Sequence, residues 1–196
     1  MTDPLLERWL EALVATPGLT SARDPAEVRR VHIEDSLCAL ESVERFEGSI
    51  VDVGSGGGAP GIPLAAALPE REVTLLESNR RKCSFLERFA GDLPNLHVIC
   101  GRAEEQPVDM YGVAVAKALA PPPVAAEWCL PLVAPGGALV LFVGPSVESK
   151  RVAAVAELLG AELEDWPPGL LVLRKIGPTP AGFPRRPGIA RKRPLA

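Results

Sequence analysis

The 196-residue chain has few of the groups that carry most side-chain catalysis and base stacking. It has two histidines, His32 and His97, and neither has a neighbouring partner in sequence that would mark a catalytic dyad. Aromatic residues make up 5% of the chain, so nucleobase stacking has few candidates. The four cysteines, Cys38, Cys83, Cys100 and Cys129, form no C-x-x-C pair. That spacing argues against a metal site or a disulfide framework, and predicts reduced thiols packed as small hydrophobes in a cytoplasmic protein. No apolar run approaches the ~20 residues of a membrane helix. The opening MTDPLLERWLEAL is acidic where a secretory leader would be basic, so no membrane partner is expected. Acid is absent from Arg174 to Ala196, a stretch holding Arg174, Lys175, Arg185, Arg186, Arg191, Lys192 and Arg193, although the whole chain carries a net −4. A basic segment on an acidic body suits a polyanion, and a solubilising tail has the same composition.

What is present is alternation. Leu5, Leu6, Trp9, Leu10, Leu13 and Val14 recur at helical spacing over 3–16. Asp24 as N-cap and Pro25 in the first turn predict a second helix over 25–41. Apolar runs then predict strands at 49–53, 73–77, 96–100, 113–116, 138–143 and 170–176, with a weak seventh around Leu163. Helical stretches fall near 62–68, 79–91, 122–133 and 147–159. Strands that are apolar throughout and alternate with helices imply a doubly wound, mainly parallel α/β sheet covered on both faces. WPPG, 166–169, predicts an antiparallel turn between the last two strands. The chain divides into a helical extension (1–47), an α/β core (48–177) and a Pro/Arg-rich tail (178–196) expected to be extended or mobile.

The first strand runs into VDVGSGGGAPGIPLA, 51–65. A glycine turn after the first strand of such a sheet lies where ligands bind, and the amides opening the next helix can receive an anion. Gly56 to Gly61 fits G-x-G-x-x-G, the dinucleotide fingerprint, but Asp52 would repel a diphosphate and Pro60 removes a donor. The parse Asp52-x-Gly54-x-Gly56-x-Gly58 suits a ligand that carries positive charge. Glu77, at the end of the next strand, can accept ribose hydroxyls. In GRAEE after the third strand, Glu104 can take an adenine amino group while the Ala103 backbone meets the ring edge. Glu104 and Glu105 also suit a helix start through the macrodipole alone.

HIEDSL (32–37), DVGSGGGAPGIPLA (52–65), LLESNRRKCSFL (75–86), GRAEE (101–105) and FPRRPGIARKRPL (183–195) together resemble one family in order and spacing. It is the RsmG or GidB family of bacterial 16S ribosomal RNA guanine-N7 methyltransferases. The resemblance implies a class I S-adenosylmethionine-dependent fold with a Rossmann-like seven-stranded sheet. It implies S-adenosylmethionine as cofactor, with Gly54, Gly56, Gly58 and Ala59 lining it beside Asp52, Glu77, Ala103 and Glu104. Where members commonly carry SRA at the end of the fourth strand, this chain has AKA, 116–118, which makes Lys117 the expected catalytic and cofactor-contacting residue. Val143 replaces a lysine usual before Gly144, and GLT, 18–20, replaces NLT.

Guanine N7 has a free lone pair at neutral pH, so its methylation needs alignment and charge control rather than a general base. That agrees with the missing dyad. Arg185, Arg186, Arg191, Lys192 and Arg193 are the expected RNA contacts, with Arg29, Arg30, Arg80, Arg81 and Lys82 as additions. The expected partner is 16S ribosomal RNA or the small ribosomal subunit, bound by a monomer. Lys117 and Val143 leave two alternatives open: an assembly factor that binds cofactor and RNA without efficient transfer, and a methyltransferase with a changed RNA target.

Overall fold

The computed structural model describes residues 3–164 and 167–196. Helix α1 (Pro4–Ala15) opens on Asp3, whose carboxylate accepts the Leu5 amide, and buries Leu6, Trp9, Leu10 and Leu13. Asp24 caps α2 (Pro25–Arg29) as expected, accepting the Glu27 amide at 3.0 Å. The expected continuous helix over 25–41 is broken. A π-helical turn (Arg30–Glu34) leads into α3 (Asp35–Leu37), and the chain resumes as α4 (Leu40–Glu44). Side chains draw its carbonyls out of line: Ser36 Oγ donates to the His32 carbonyl, Cys38 Sγ to that of Asp35 and Lys117 Nζ to that of Val31.

The core alternates β1 (Ile50–Val53), α5 (Gly61–Ala67), β2 (Val73–Glu77), α6 (Arg80–Ala90), β3 (Leu96–Cys100), β4 (Tyr111–Lys117), α7 (Pro122–Cys129), β5 (Val133–Phe142) and α8 (Ser149–Leu158). It closes with β6 (Ala161–Leu163) and β7 (Leu170–Lys175). The sheet order is β3-β2-β1-β4-β5-β7-β6, with β7 antiparallel to both β5 and β6 and the other pairs parallel. The weak seventh strand at Leu163 is therefore real, held by its pairing to Leu173. Of the turn expected between the last two strands, Trp166 lies outside the described residues.

Because strand residues alternate between faces, the core has two halves. Ile50, Leu75, Val113 and Val140 pack with α1, α5 and α6, whereas Val51, Leu76, Ala114 and Leu139 pack with α7 and α8. Cys83 at the start of α6 and Cys100 at the end of β3 are bonded as a disulfide, with Cα atoms 5.8 Å apart. This corrects the expectation of four free thiols. Glu77 and Cys100 are register partners, so the strand ladder carries Cys100 toward the first turn of α6 despite a spacing that shows no motif.

The tail also departs from expectation. Arg185 donates Nε and Nη2 to the two oxygens of Glu127 at 2.5 and 2.6 Å, and Glu127 is buried on α7. The segment ends in a short helix, α9 (Ile189–Lys192), with Ala190 buried. Lys175, part of the acid-free basic stretch, is fully buried and donates to the Leu130 carbonyl and Thr179 Oγ1. Arg174 pairs with Glu162 and Glu164 across β6.

Candidate functional site

The strand order reverses between β1 and β4, and a cleft of about 260 Å³ opens at the carboxyl edge there. Its walls come from Gly54 after β1, Ser78 after β2, Arg102 to Glu104 after β3 and Leu119 after β4. Gly54 holds φ +71°, and a Cβ there would meet Leu119 Cδ1 at 2.3 Å. Side chains of any size at this position would therefore close the cleft and strain the turn. Ala103 and Glu104 line the cleft as expected, at the start of a single 3₁₀ turn.

The other glycine-turn residues shape the cleft from behind. Glu77 is buried and accepts the Gly56 amide on one oxygen at 2.9 Å and the Asn79 amide on the other at 2.7 Å. It ties the turn to the start of α6 and keeps lone pairs for a further donor. Asp52 accepts the Gly61 amide at 2.9 Å. A Cβ on Gly61 would lie 2.8 Å from that carboxylate and 2.2 Å from Leu75, which explains the glycine within P-G-I-P-L. Burial pushes the Asp52 carboxyl up to about 7, against the pull of the Gly61 amide. Its Oδ1 is buried without a hydrogen-bond partner among the described residues. The amides of Gly54, Ser55, Gly56, Gly58, Gly61 and Ile62 are all bonded within the protein. The helix-start anion site expected from the sequence is thus taken up by the fold itself. Trp9 Nε1 reaches across from α1 to donate to the Gly57 carbonyl at 2.8 Å, so the helical extension braces the turn.

Lys117 does not line the cleft. Its amino group donates to the Val31 carbonyl, lies 4.0 Å from Asp35 Oδ2 and sits 5.6 Å from the centre of the Phe142 ring. Burial lowers its pKa and Asp35 opposes that shift. Lys117 shares the sheet face of Asp52, because Asp52 and Val115 are register partners and Lys117 is two residues further on. Here the side chain expected to contact the cofactor ties β4 to the π-helical turn. His32 joins this cluster, its Nε2 2.9 Å from Thr20 Oγ1, with a pKa lowered by burial and then by Lys117. HIEDSL flagged the segment in sequence, but its contacts with residue 117 required the fold.

Two further cleft residues were not expected there: Trp128, which had no sequence signal, and Gly188, which lies in FPRRPGIARKRPL but was assigned to the tail. They bring the tail to the site: the Gly188 amide donates to Glu104 Oε1 at 3.2 Å, and the Arg191 guanidinium lies 5.1 Å from the centre of a Trp128 ring. Of the five cations expected on RNA, Arg185 is spent on Glu127 and Arg191 faces the cleft. Arg186, Lys192 and Arg193 are exposed and form no ion pair among the described residues.

The geometry has clear likenesses. A 16S rRNA methyltransferase from T. thermophilus, solved in complex with AdoMet and guanosine, superposes with a TM-score of 0.56 at 20% identity. The match covers 84% of this chain and 42% of that one. The M. jannaschii protein TYW2, solved in complex with AdoMet, gives 0.51 at 18% identity over 68% of this chain and 72% of that one. These establish the class I methyltransferase fold. Closer relatives bear the name ribosomal RNA small subunit methyltransferase G. That of Synechococcus elongatus is 38% identical over 91% of this chain and 82% of its own. That of Pelotomaculum thermopropionicum is 39% identical over 91% and 83%. The family model described as rRNA small subunit methyltransferase G matches residues 5–164, from α1 to the start of the closing hairpin at β6, and so takes in the glycine turn, the strand ends that wall the cleft and the brace behind them: the chain belongs to the GidB family.

Proposed function

We propose that the protein methylates guanine N7 of 16S ribosomal RNA with S-adenosylmethionine bound in the cleft between Gly54, Glu104 and Leu119. The observation that carries this reading is the set of strand ends around that cleft, in a chain of the GidB family. The residues fit such a ligand. Glu77 keeps acceptor capacity for a ribose, Glu104 and the Ala103 backbone offer a polar edge for adenine, and Asp52 holds an unpartnered carboxylate oxygen under the turn. The bound cofactor would supply an electrophilic methyl on a sulfonium centre. The protein's part is to hold the acceptor in line and dry, since N7 needs no deprotonation. Lys117 is a positioning residue: it fixes the π-helical turn against β4 and adds positive charge on the Asp52 face. Arg186, Lys192 and Arg193 supply phosphate contacts, and the protein acts as a monomer in the cytoplasm. The family match across the core favours this enzyme over a binding-only assembly factor.

Calorimetry with S-adenosylmethionine and with NAD tests the cofactor, and binding of NAD alone would overturn the reading. Mass mapping of 16S RNA from cells with and without the gene tests the base. An unchanged modification pattern would refute the assignment to 16S RNA.

A further inference from the structure

We propose that the tail segment 183–193 forms the outer wall of the cofactor cleft, with Arg191 as a binding residue for the nucleoside end of the ligand. The inference rests on the cofactor reading above and names a residue that the glycine turn and strand ends do not supply. Three observations carry it. The first is that the segment is fixed to the body independently of the cleft. Arg185 holds the buried Glu127 with two hydrogen bonds and also donates to the Arg193 carbonyl at 2.8 Å, which closes the segment on itself. Bidentate pairs of this kind set orientation as well as position.

The second is that anchoring leaves Arg191 with a separate task. It is exposed, it forms no ion pair among the described residues, and its guanidinium lies over Trp128 where both border the cleft. A guanidinium stacked on an indole presents a flat, weakly hydrated face. Val53 and Leu119 give the same cleft apolar walls, and Glu104 gives it a polar edge. The Gly188 amide occupies Oε1 of Glu104, so the tail also orients the carboxylate read as the adenine acceptor. A flat cationic face, apolar walls and an oriented acid match a purine nucleoside better than a phosphate.

The third is an orphaned donor. Trp128 Nε1 is buried without an acceptor among the described residues. Such groups are rare in folded proteins, and each calls for an explanation. Here the indole belongs to the cleft wall.

The test uses the full-length protein, its Arg191→Ala variant and a Lys150→Ala control that removes the same charge from the exposed face of α8. Affinities are measured by calorimetry for S-adenosylmethionine and for 5′-deoxy-5′-methylthioadenosine, which keeps the nucleoside and lacks the amino-acid arm. Arg191→Ala should weaken both ligands alike, by roughly three- to thirtyfold, the range of a cation–π contact as it becomes desolvated. Its unfolding midpoint without ligand should match the wild type, and Lys150→Ala should bind both ligands as the wild type does. Wild-type affinities in Arg191→Ala, or equal losses in Lys150→Ala, would overturn the inference while leaving the cofactor reading intact. A wild-type protein that binds neither ligand would overturn both.

Discussion

Asp52→Asn should stabilise the protein by an amount that grows with pH. The carboxyl is buried, one oxygen accepts the Gly61 amide and the other has no partner among the described residues. Burial raises its pKa from 3.8 to about 7. Below the lower value the acid is protonated in both folded and unfolded chains and the stability is complete. As pH rises, the unfolded chain gives up the proton first, and stability falls until the native carboxyl ionises near 7. The whole span is worth ~4 kcal/mol, of which roughly 2–3 kcal/mol falls between about pH 5 and about pH 8. Asparagine keeps the acceptor for Gly61 and cannot ionise, so it escapes this loss. Urea unfolding followed by circular dichroism at the two pH values gives the difference directly. The variant's advantage should be larger at the higher pH. An advantage independent of pH would show that Asp52 does not titrate in this window and that the burial argument is wrong.

Trp9→Phe removes the donor to the Gly57 carbonyl, so stability should drop by roughly 1–3 kcal/mol and S-adenosylmethionine affinity should fall with it; equal affinities would show that α1 does not brace the turn. Lys175→Ala should cost roughly 2–5 kcal/mol, because it empties a fully buried site and leaves the Leu130 carbonyl without its donor, and Lys175→Met should recover the packing part of the loss in an unfolding titration. Thiol titration of the unreduced, denatured protein should find two reactive groups, Cys38 and Cys129, and finding four would refute the Cys83–Cys100 bond. Reducing that bond should lower stability by ~3 kcal/mol, the scale expected for a cross-link spanning 17 residues.

The inner strands were legible because they are buried on both faces: Ile50–Val53 and Val73–Glu77 appear where apolar runs placed them, while the edge strand Leu96–Cys100, with His97 and Cys100 exposed, was legible from its β-type residues alone. The glycine turn was legible because a backbone held at positive φ beside a neighbouring side chain leaves glycine in the sequence, as at Gly54. Charged residues leave no such record. Arg185 and Arg186 stand side by side with identical side chains, yet one closes on buried Glu127, 58 positions away, and the other faces solvent. Lys117 was placed correctly at the end of β4. Its direction depended on a π-helical turn that no local pattern announced, because the side chains that stabilise it arrive from Ser36 and from Lys117 itself.

The bond from Trp9 to the Gly57 carbonyl also has an optical consequence. This indole is fully buried, touches the glycine turn through its N–H, and faces His32 edge-on with ring centres 6.1 Å apart. A charged imidazole so close would quench indole emission by accepting the excited electron. Burial and Lys117 hold His32 below its usual pKa, so the imidazole stays neutral as acid is added past the point where an exposed histidine would charge. Emission from Trp9 should therefore remain bright and blue-shifted at neutral pH. A change in its colour or lifetime on adding ligand would report movement of the glycine turn itself, read through a residue that lies behind that turn in the amino-terminal helix.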